Sequence, residues 1–192
     1  MKKIVVFLLI AACAFFSSVA LGETVAFGSY EYEPVTWMVL SSDENYTKLM
    51  SEYVINCMPF DDKNTEWSTS DVRAWLNDSF AYEAFSAEER AMICLVDSDL
   101  VRLPSLGDVT SYGFSSNQKA EDASRAAKGS NYAVSQGLWV NRAGYCSYFT
   151  LTPANEKLLY QVRTGGSINA AAYDRDNVGI RAVIVVHTSA LE

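Results

Sequence analysis

Apolar and polar positions along the chain first alternate, then fall into a helical period, then alternate again. Thr24-Val25-Ala26-Phe27-Gly28-Ser29-Tyr30 has the period of a half-buried strand, and Val35-Thr36-Trp37-Met38-Val39-Leu40 is a second, richer one. Glu33-Pro34 separates the two. After the turn cluster Ser41 to Asn45, Tyr46-Thr47-Lys48-Leu49-Met50 and Tyr53-Val54-Ile55 read as further short strands, so the opening is predicted to be a β-meander. Between Trp67 and Ile93 the period changes. Ser68, with Asp71 three residues on, reads as a helix cap, and Val72, Trp75, Leu76 and Phe80 fall on one helical face. Ser86-Ala87-Glu88-Glu89 is a capping box that starts a second short helix carrying Met92 and Ile93.

Residues 104–134 carry the weakest pattern. Pro104-Ser105 is predicted to open a short helix closed near Gly113, and Asn117 to Lys128 is polar, alanine-rich and ended by Gly129. The last third returns to strands at Leu138-Trp139-Val140, Cys146 to Leu151, Lys157 to Val162 and Gly179 to His187, with Pro153-Ala154-Asn155-Glu156 as a hairpin turn. Strands, then helices, then strands, with no repeat and no long linker, favour a compact α+β domain over a parallel βαβ sheet.

The apolar run Ile4 to Phe16 stands outside this scheme. It follows the positive start Met1-Lys2-Lys3 and precedes Ser17-Ser18-Val19-Ala20-Leu21-Gly22, with small residues at the positions a signal peptidase reads. Residues 1–22 are therefore expected to be a signal peptide and residues 23–192 a single extracytoplasmic domain, secreted or periplasmic. Ile10-Ala11-Ala12-Cys13 offers an alternative, lipid attachment at Cys13, which would anchor the product to a membrane. Against that alternative, the apolar run continues through Ala14-Phe15-Phe16, where a tethered chain meets a polar linker.

Charge and cysteines narrow the partners. The formal charge is −8, made more negative by loss of Lys2 and Lys3, and no basic stripe is interleaved with aromatics, so nucleic acid is not expected as a partner. Cys57, Cys94 and Cys146 lie far apart without C-x-x-C spacing, which argues against a zinc or redox centre. One long-range disulfide or three small buried hydrophobes both remain open for them.

The order of several short motifs resembles a bacterial extracytoplasmic family, domain of unknown function 6273. The matching pieces are Phe27-Gly28-Ser29-Tyr30, Val35 to Leu40, Trp67-Ser68-Thr69-Ser70-Asp71-Val72-Arg73-Ala74-Trp75-Leu76-Asn77, Phe80, Ala84-Phe85-Ser86 and Glu89, Gly137 to Arg142, and Gly179-Ile180-Arg181-Ala182. The resemblance implies a C-type-lectin-like fold, a short twisted antiparallel sheet with a few short helices closed by a final G-x-R strand. Ala182 replaces the family's usual proline, and Leu138-Trp139 a more usual tryptophan pair. Membership implies no particular activity.

Catalytic devices are incomplete. His187 is the only histidine and ends an apolar strand, and no nucleophile-elbow pattern surrounds a serine. Asp174-Arg175-Asp176-Asn177-Val178-Gly179 lacks the ligands of a calcium loop at its fifth and twelfth positions, Val178 and Val185. Asp61-Asp62, Asp97 with Asp99, and Glu88-Glu89 are the acidic pairs a glycosidase could use, although such neighbours are ordinarily a solvated face. No metal or cofactor is expected. Trp139, Asn141, Tyr145, Tyr148, Asn169, Tyr173 and Asn177 crowd the part that builds the ligand face in C-type-lectin-like folds, and their rings and amides suit a glycan or protein ligand. Trp37, Trp75 and Arg181 are expected to be structural. The sequence thus favours an exported, non-catalytic binding or surface-interaction module. Its alternatives are a carboxylate-dependent hydrolase of glycan or cell wall and a structural piece of an envelope assembly.

Overall fold

A computed structural model of the chain describes residues 20–191. The expected leader occupies residues 1–22, so most of it, including Cys13, lies outside the described residues. Among the described residues, no helix is long and apolar enough to cross a membrane.

The fold is mixed α+β, mostly strands. β1 (Thr24–Tyr30), β2 (Glu33–Ser42) and β3 (Tyr46–Ser51) form three strands of the meander the alternation predicts, while Tyr53-Val54-Ile55, expected as a further strand, carries only an isolated bridge from Val54 to Gly129. The C-terminal strand joins this sheet beside β3, with Val183 opposite Met50 and His187 opposite Tyr46. In β2 the alternation is strict where it matters: Val35, Trp37 and Val39 point inward. Gly28 sits in an irregularity of β1 with φ +74°. A Cβ there would lie 2.5 Å from Phe85 Cδ1 and 2.6 Å from the Ala84 carbonyl, so only glycine lets the strand meet the helix behind it.

β4 (Asn56–Cys57) follows, and then a single 3₁₀ turn, Trp67–Thr69. That turn displaces the helix start by two residues. Ser70, not Ser68, is the cap, its hydroxyl accepting from the Arg73 N–H at 3.2 Å. The helical stretch that results consists of α1 (Asp71–Ala74), a π-helical segment Trp75–Phe80 and α2 (Ala81–Ala84). Val72, Leu76 and Phe80 are buried as their spacing requires, whereas Trp75 is only half-buried at the edge. α3 (Ala87–Met92) has the expected capping box, Ser86 and Glu89 each satisfying the other's backbone N–H. Glu89 also accepts from the Gly28 N–H at 3.2 Å, tying α3 to β1.

The stretch expected to hold a helix from Pro104 contains turns instead. Its organiser is Arg125, fully buried. The guanidinium donates to the carbonyls of Ser115 (2.7 Å), Ala120 (2.8 Å) and Asn117 (3.2 Å), so the loop is wound around a side chain in addition to the turns its own backbone closes.

β5 (Ala127–Lys128) pairs with β6 (Tyr145–Cys146), and between them lies α4 (Asn131–Ser135), capped by Ser130. Residues 138–140, expected as a strand, carry no regular element. The helix uses up the preceding residues, Gly137 turns the chain at φ +103°, and Leu138 drops into the core against Gly129. The second sheet has the order β4, β10, β7, β8, β9, with β7 (Tyr148–Asn155), β8 (Leu158–Val162), β9 (Ile168–Ala172) and β10 (Gly179–Ile180). Pro153 lies inside β7 at a register irregularity, which moves the turn to residues 156–157. The last strand is β11 (Val183–His187). The main core lies among the meander, the helical stretch and the second sheet, around Trp37, Leu49, Phe60, Phe80, Phe149 and Ile180.

Candidate functional site

The motif Trp67 to Asn77 is spent on architecture. The Trp67 indole N–H donates to Asp99 at 2.8 Å, Arg73 pairs with the same carboxylate at 2.7 Å, and Asn77 accepts from the N–H groups of Leu100 and Val101 while donating to the Val101 carbonyl. Together they pin residues 99–101 to the helix. Trp37 is fully buried, stacked on Phe85 and donating to the Phe27 carbonyl at 2.7 Å. Arg181, also fully buried, donates to the Ser51 carbonyl (2.7 Å), the Tyr148 hydroxyl (3.1 Å) and the Arg125 carbonyl (3.3 Å).

The late aromatic and amide residues do not form one face. Tyr148 is a core residue: fully buried, with its hydroxyl donating to the Arg125 carbonyl at 2.9 Å, it presents nothing to a ligand. Asn141 folds the 141–145 turn, its carboxamide oxygen accepting from the N–H groups of Ala143 and Tyr145. Tyr145 is half-buried with the Lys128 ammonium 5.5 Å from its ring centre. Tyr173 packs on the main core, and its carbonyl accepts from the Phe60 N–H. Asn169 is exposed on β9 and accepts from Gln161 at 3.0 Å, and Asn177 is exposed in a turn. Trp139 is 58% exposed and shares no cavity with any of them. Of these residues only Tyr148 and Asn169 lie on β7 to β9, the first facing the core and the second the solvent.

One member of each acidic pair is engaged in structural bonds. Asp99 serves Trp67 and Arg73, Glu89 serves Ser86 and Gly28, and Asp61 accepts from the N–H groups of Lys63 and Asn64. The three thiols are unpaired. Burial pushes Cys146 up to about 12 and raises Cys57 and Cys94, so all three are weak nucleophiles.

The concave surface lies elsewhere. A groove of about 770 Å³ runs between the β1–β2 hairpin and the segment that leads into α4. Tyr30, Tyr53 and Tyr132 supply its rings, Glu31 and Glu33 its carboxylates, and Ser130, Asn131 and Thr36 further hydrogen-bonding groups. A smaller cavity of about 350 Å³ adjoins it, bounded by Ser29, Tyr30, Glu31, Tyr32 and Glu83, so Tyr30 and Glu31 wall both. No lysine, arginine or histidine lines either one.

Three supports position these groups. The first is the π-helical segment behind Tyr30: its ring lies 5.0 Å from Phe80 and 6.3 Å from Trp75, both edge-on, and 5.4 Å from Tyr132 at 87°. The second is the Asn131 carboxamide, which donates to Glu33 at 3.3 Å across the groove. The third is the hairpin tip, where Glu31 (φ 50°) and Tyr32 (φ 67°) both adopt left-handed backbone. Two-residue hairpin turns of this kind favour Asn-Gly, and each of these residues stores roughly 1–3 kcal/mol of strain. The tip holds Tyr32 wholly in solvent. Burial, then the neighbouring Tyr132 phenol and the carboxylates of Glu83 and Glu31, raise the Tyr30 hydroxyl well above its ordinary range, so it remains a neutral phenol.

In the sequence Glu33-Pro34 reads as the boundary between the strands, whereas the turn lies at Glu31-Tyr32 and Glu33 already opens β2. The signal was Glu31-Tyr32, a non-glycine pair where the alternation stops and restarts.

The molecule is thus a strand-rich α+β domain with an aromatic, acidic groove at one hairpin. The chain belongs to the family described as Domain of unknown function (DUF6273), whose profile matches residues 44–188. No curated protein and no solved structure matches it. The match contains the Tyr53 and Tyr132 sides of the groove, while the Tyr30 hairpin precedes it.

Proposed function

We propose that the protein is an exported, non-catalytic binding module whose ligand, an extracellular glycan or protein, lies in the groove between the β1–β2 hairpin and α4. The observation that carries this reading is the groove itself: about 770 Å³ walled by three tyrosines, with hydroxyl, amide and carboxylate groups converging on it. Rings set edge to face by the core behind them are already ordered, which limits the entropy lost when a ligand is held. The engagement of Asp99, Glu89 and Asp61 in structural bonds supports binding without turnover. The return of β11 to the N-terminal meander, directly after Gly179-Ile180-Arg181, supports a C-type-lectin-like architecture. Export rests on the leader-like start of the sequence and fits the acidic surface.

A screen of the purified protein against envelope glycans and extracellular proteins, with product analysis of every hit, tests the reading. Saturable binding weakened by Tyr53→Ala, with the ligand recovered intact, is the expected result. Steady conversion of a ligand to product, abolished by Glu33→Gln, would replace it with the hydrolase.

A further inference from the structure

Building on this binding-module reading, we infer that the groove takes a cationic stretch of polypeptide, with lysine or arginine side chains laid on Tyr30, Tyr53 and Tyr132 and their charged ends facing Glu31 and Glu33. Four observations carry it.

The first is the charge of the walls. Glu31 and Glu33 line the larger cavity and Glu31 and Glu83 the smaller, with no basic side chain in either. A neutral sugar can donate hydroxyls to these carboxylates, one of which, Glu33, already accepts from Asn131, but it leaves their charge unneutralised, and an anion is repelled. An ammonium or guanidinium gains both charge-assisted hydrogen bonds and the attraction of ring faces, the latter worth about 0.5–2 kcal/mol per contact. The second is the order of the rings: Tyr30 is held edge-on against Phe80 at 5.0 Å and Tyr132 at 5.4 Å, so these aromatic walls are in place before a ligand arrives.

The third observation is the shape. The two cavities share Tyr30 and Glu31 as a common wall. In an extended peptide, side chains two residues apart emerge on the same side, roughly 6.6–7 Å from each other, so a ligand with alternating cationic residues can place one in each cavity. A single small amine would occupy only one. The fourth is the hairpin tip, where the strained Glu31-Tyr32 backbone holds the Glu31 carboxylate on the wall shared by both cavities and the Tyr32 ring at the edge of the smaller one, a placement that relaxed glycine-rich turns would not fix. The formal charge of −8 adds long-range attraction for the same class of partner.

The test uses the purified protein, an alternating Lys-Ser peptide, the same peptide with every lysine Nε-acetylated, and chitohexaose as a neutral glycan, each titrated by calorimetry. The Lys-Ser peptide should bind, and acetylation should weaken it by at least about tenfold, as should Glu31→Gln combined with Glu33→Gln. A remote pair of equal charge change, Glu44→Gln with Glu156→Gln, both exposed and outside the groove, should leave the affinity within about twofold. Thermal melts of both pairs confirm that the fold is kept, and Tyr53→Ala supplies a groove variant that leaves the hairpin untouched. Equal loss in the groove and remote pairs, unchanged affinity on acetylation, or no peptide binding at all would overturn the cationic assignment. Chitohexaose binding that Tyr53→Ala weakens, without peptide binding, would overturn it while keeping the groove as a glycan site. Failure of both probes together with a screen empty of other ligands would remove the binding-module reading as well.

Discussion

The Arg181 guanidinium lies 5.1 Å from the centre of the Tyr148 ring and donates to that residue's hydroxyl at 3.1 Å, and no carboxylate pairs with it. A buried cation is held here by carbonyls, a phenol and a ring face. Tyr148 in turn donates to the Arg125 carbonyl, linking the closing strand to the loop wound around Arg125. Arg181→Met leaves the Ser51 carbonyl and the Tyr148 hydroxyl oxygen without this donor, at about 1–3 kcal/mol for each unsatisfied group, while the Arg125 carbonyl keeps its bond from the Tyr148 hydroxyl. Urea unfolding should show a loss of roughly 3 kcal/mol for Arg181→Met and about 1–2 kcal/mol for Tyr148→Phe. Wild-type midpoints in both variants would show that the network contributes no stability.

Trp37 and Trp75 should separate clearly. Trp37 is enclosed, so Trp37→Ala is expected to cost about 3–5 kcal/mol. Trp75 is half-buried beside Tyr30 and Phe80, and Trp75→Ala should cost roughly 1–2 kcal/mol. Equal losses in denaturant titrations would place Trp75 in the core that its helical spacing suggested.

Asp108 provides a pH dependence. Burial alone would raise its carboxyl, but hydrogen bonds from Lys48 and Ser105 and the charge of Arg102 outweigh it and hold the folded-state value below the usual one. A carboxyl depressed on folding contributes stability that is present above its unfolded value, about 3.9, and is lost as the pH falls through the lower folded value. Melting curves should therefore drop steeply below about pH 4, and Asp108→Asn should flatten that drop while lowering the plateau above it. An unchanged acid limb in the variant would assign the loss to other groups.

The thiols give a chemical check. With burial raising all three, and Cys146 pushed up to about 12, alkylation of the native protein at neutral pH should leave Cys57 and Cys146 unmodified and reach them only in denaturant. Mass spectrometry after native labelling reads this directly. A Cys57–Cys146 disulfide recovered from the native protein would contradict it.

Legibility in the sequence followed the strength of the local physics. The meander, the helical stretch and α3 were readable because Trp37, Val72, Leu76 and Phe80 bury one face each and because Ser86 and Glu89 form a cap by themselves. β9 left no signal, since Asn169 and three alanines have little strand preference of their own and are placed by pairing with β8. The 104–126 loop is organised around one buried arginine that reaches carbonyls of the residues just before it, an irregular arrangement that no helical or strand period encodes. The late aromatics do not share one face, since Tyr148 is enclosed and Tyr173 packs on the main core, whereas the groove joins Tyr30 and Tyr53 to Tyr132, residues far apart in the chain.

The most direct measurement compares two exposed rings whose loss should not disturb the fold: Tyr53, 41% exposed in the groove, and Trp139, 58% exposed outside it. The dissociation constant of the alternating Lys-Ser peptide is measured for Tyr53→Ala and Trp139→Ala beside the parent. Tyr53→Ala is expected to raise it about tenfold and Trp139→Ala to leave it within about twofold. A large rise for Trp139→Ala with none for Tyr53→Ala would move the site off the groove and contradict the account.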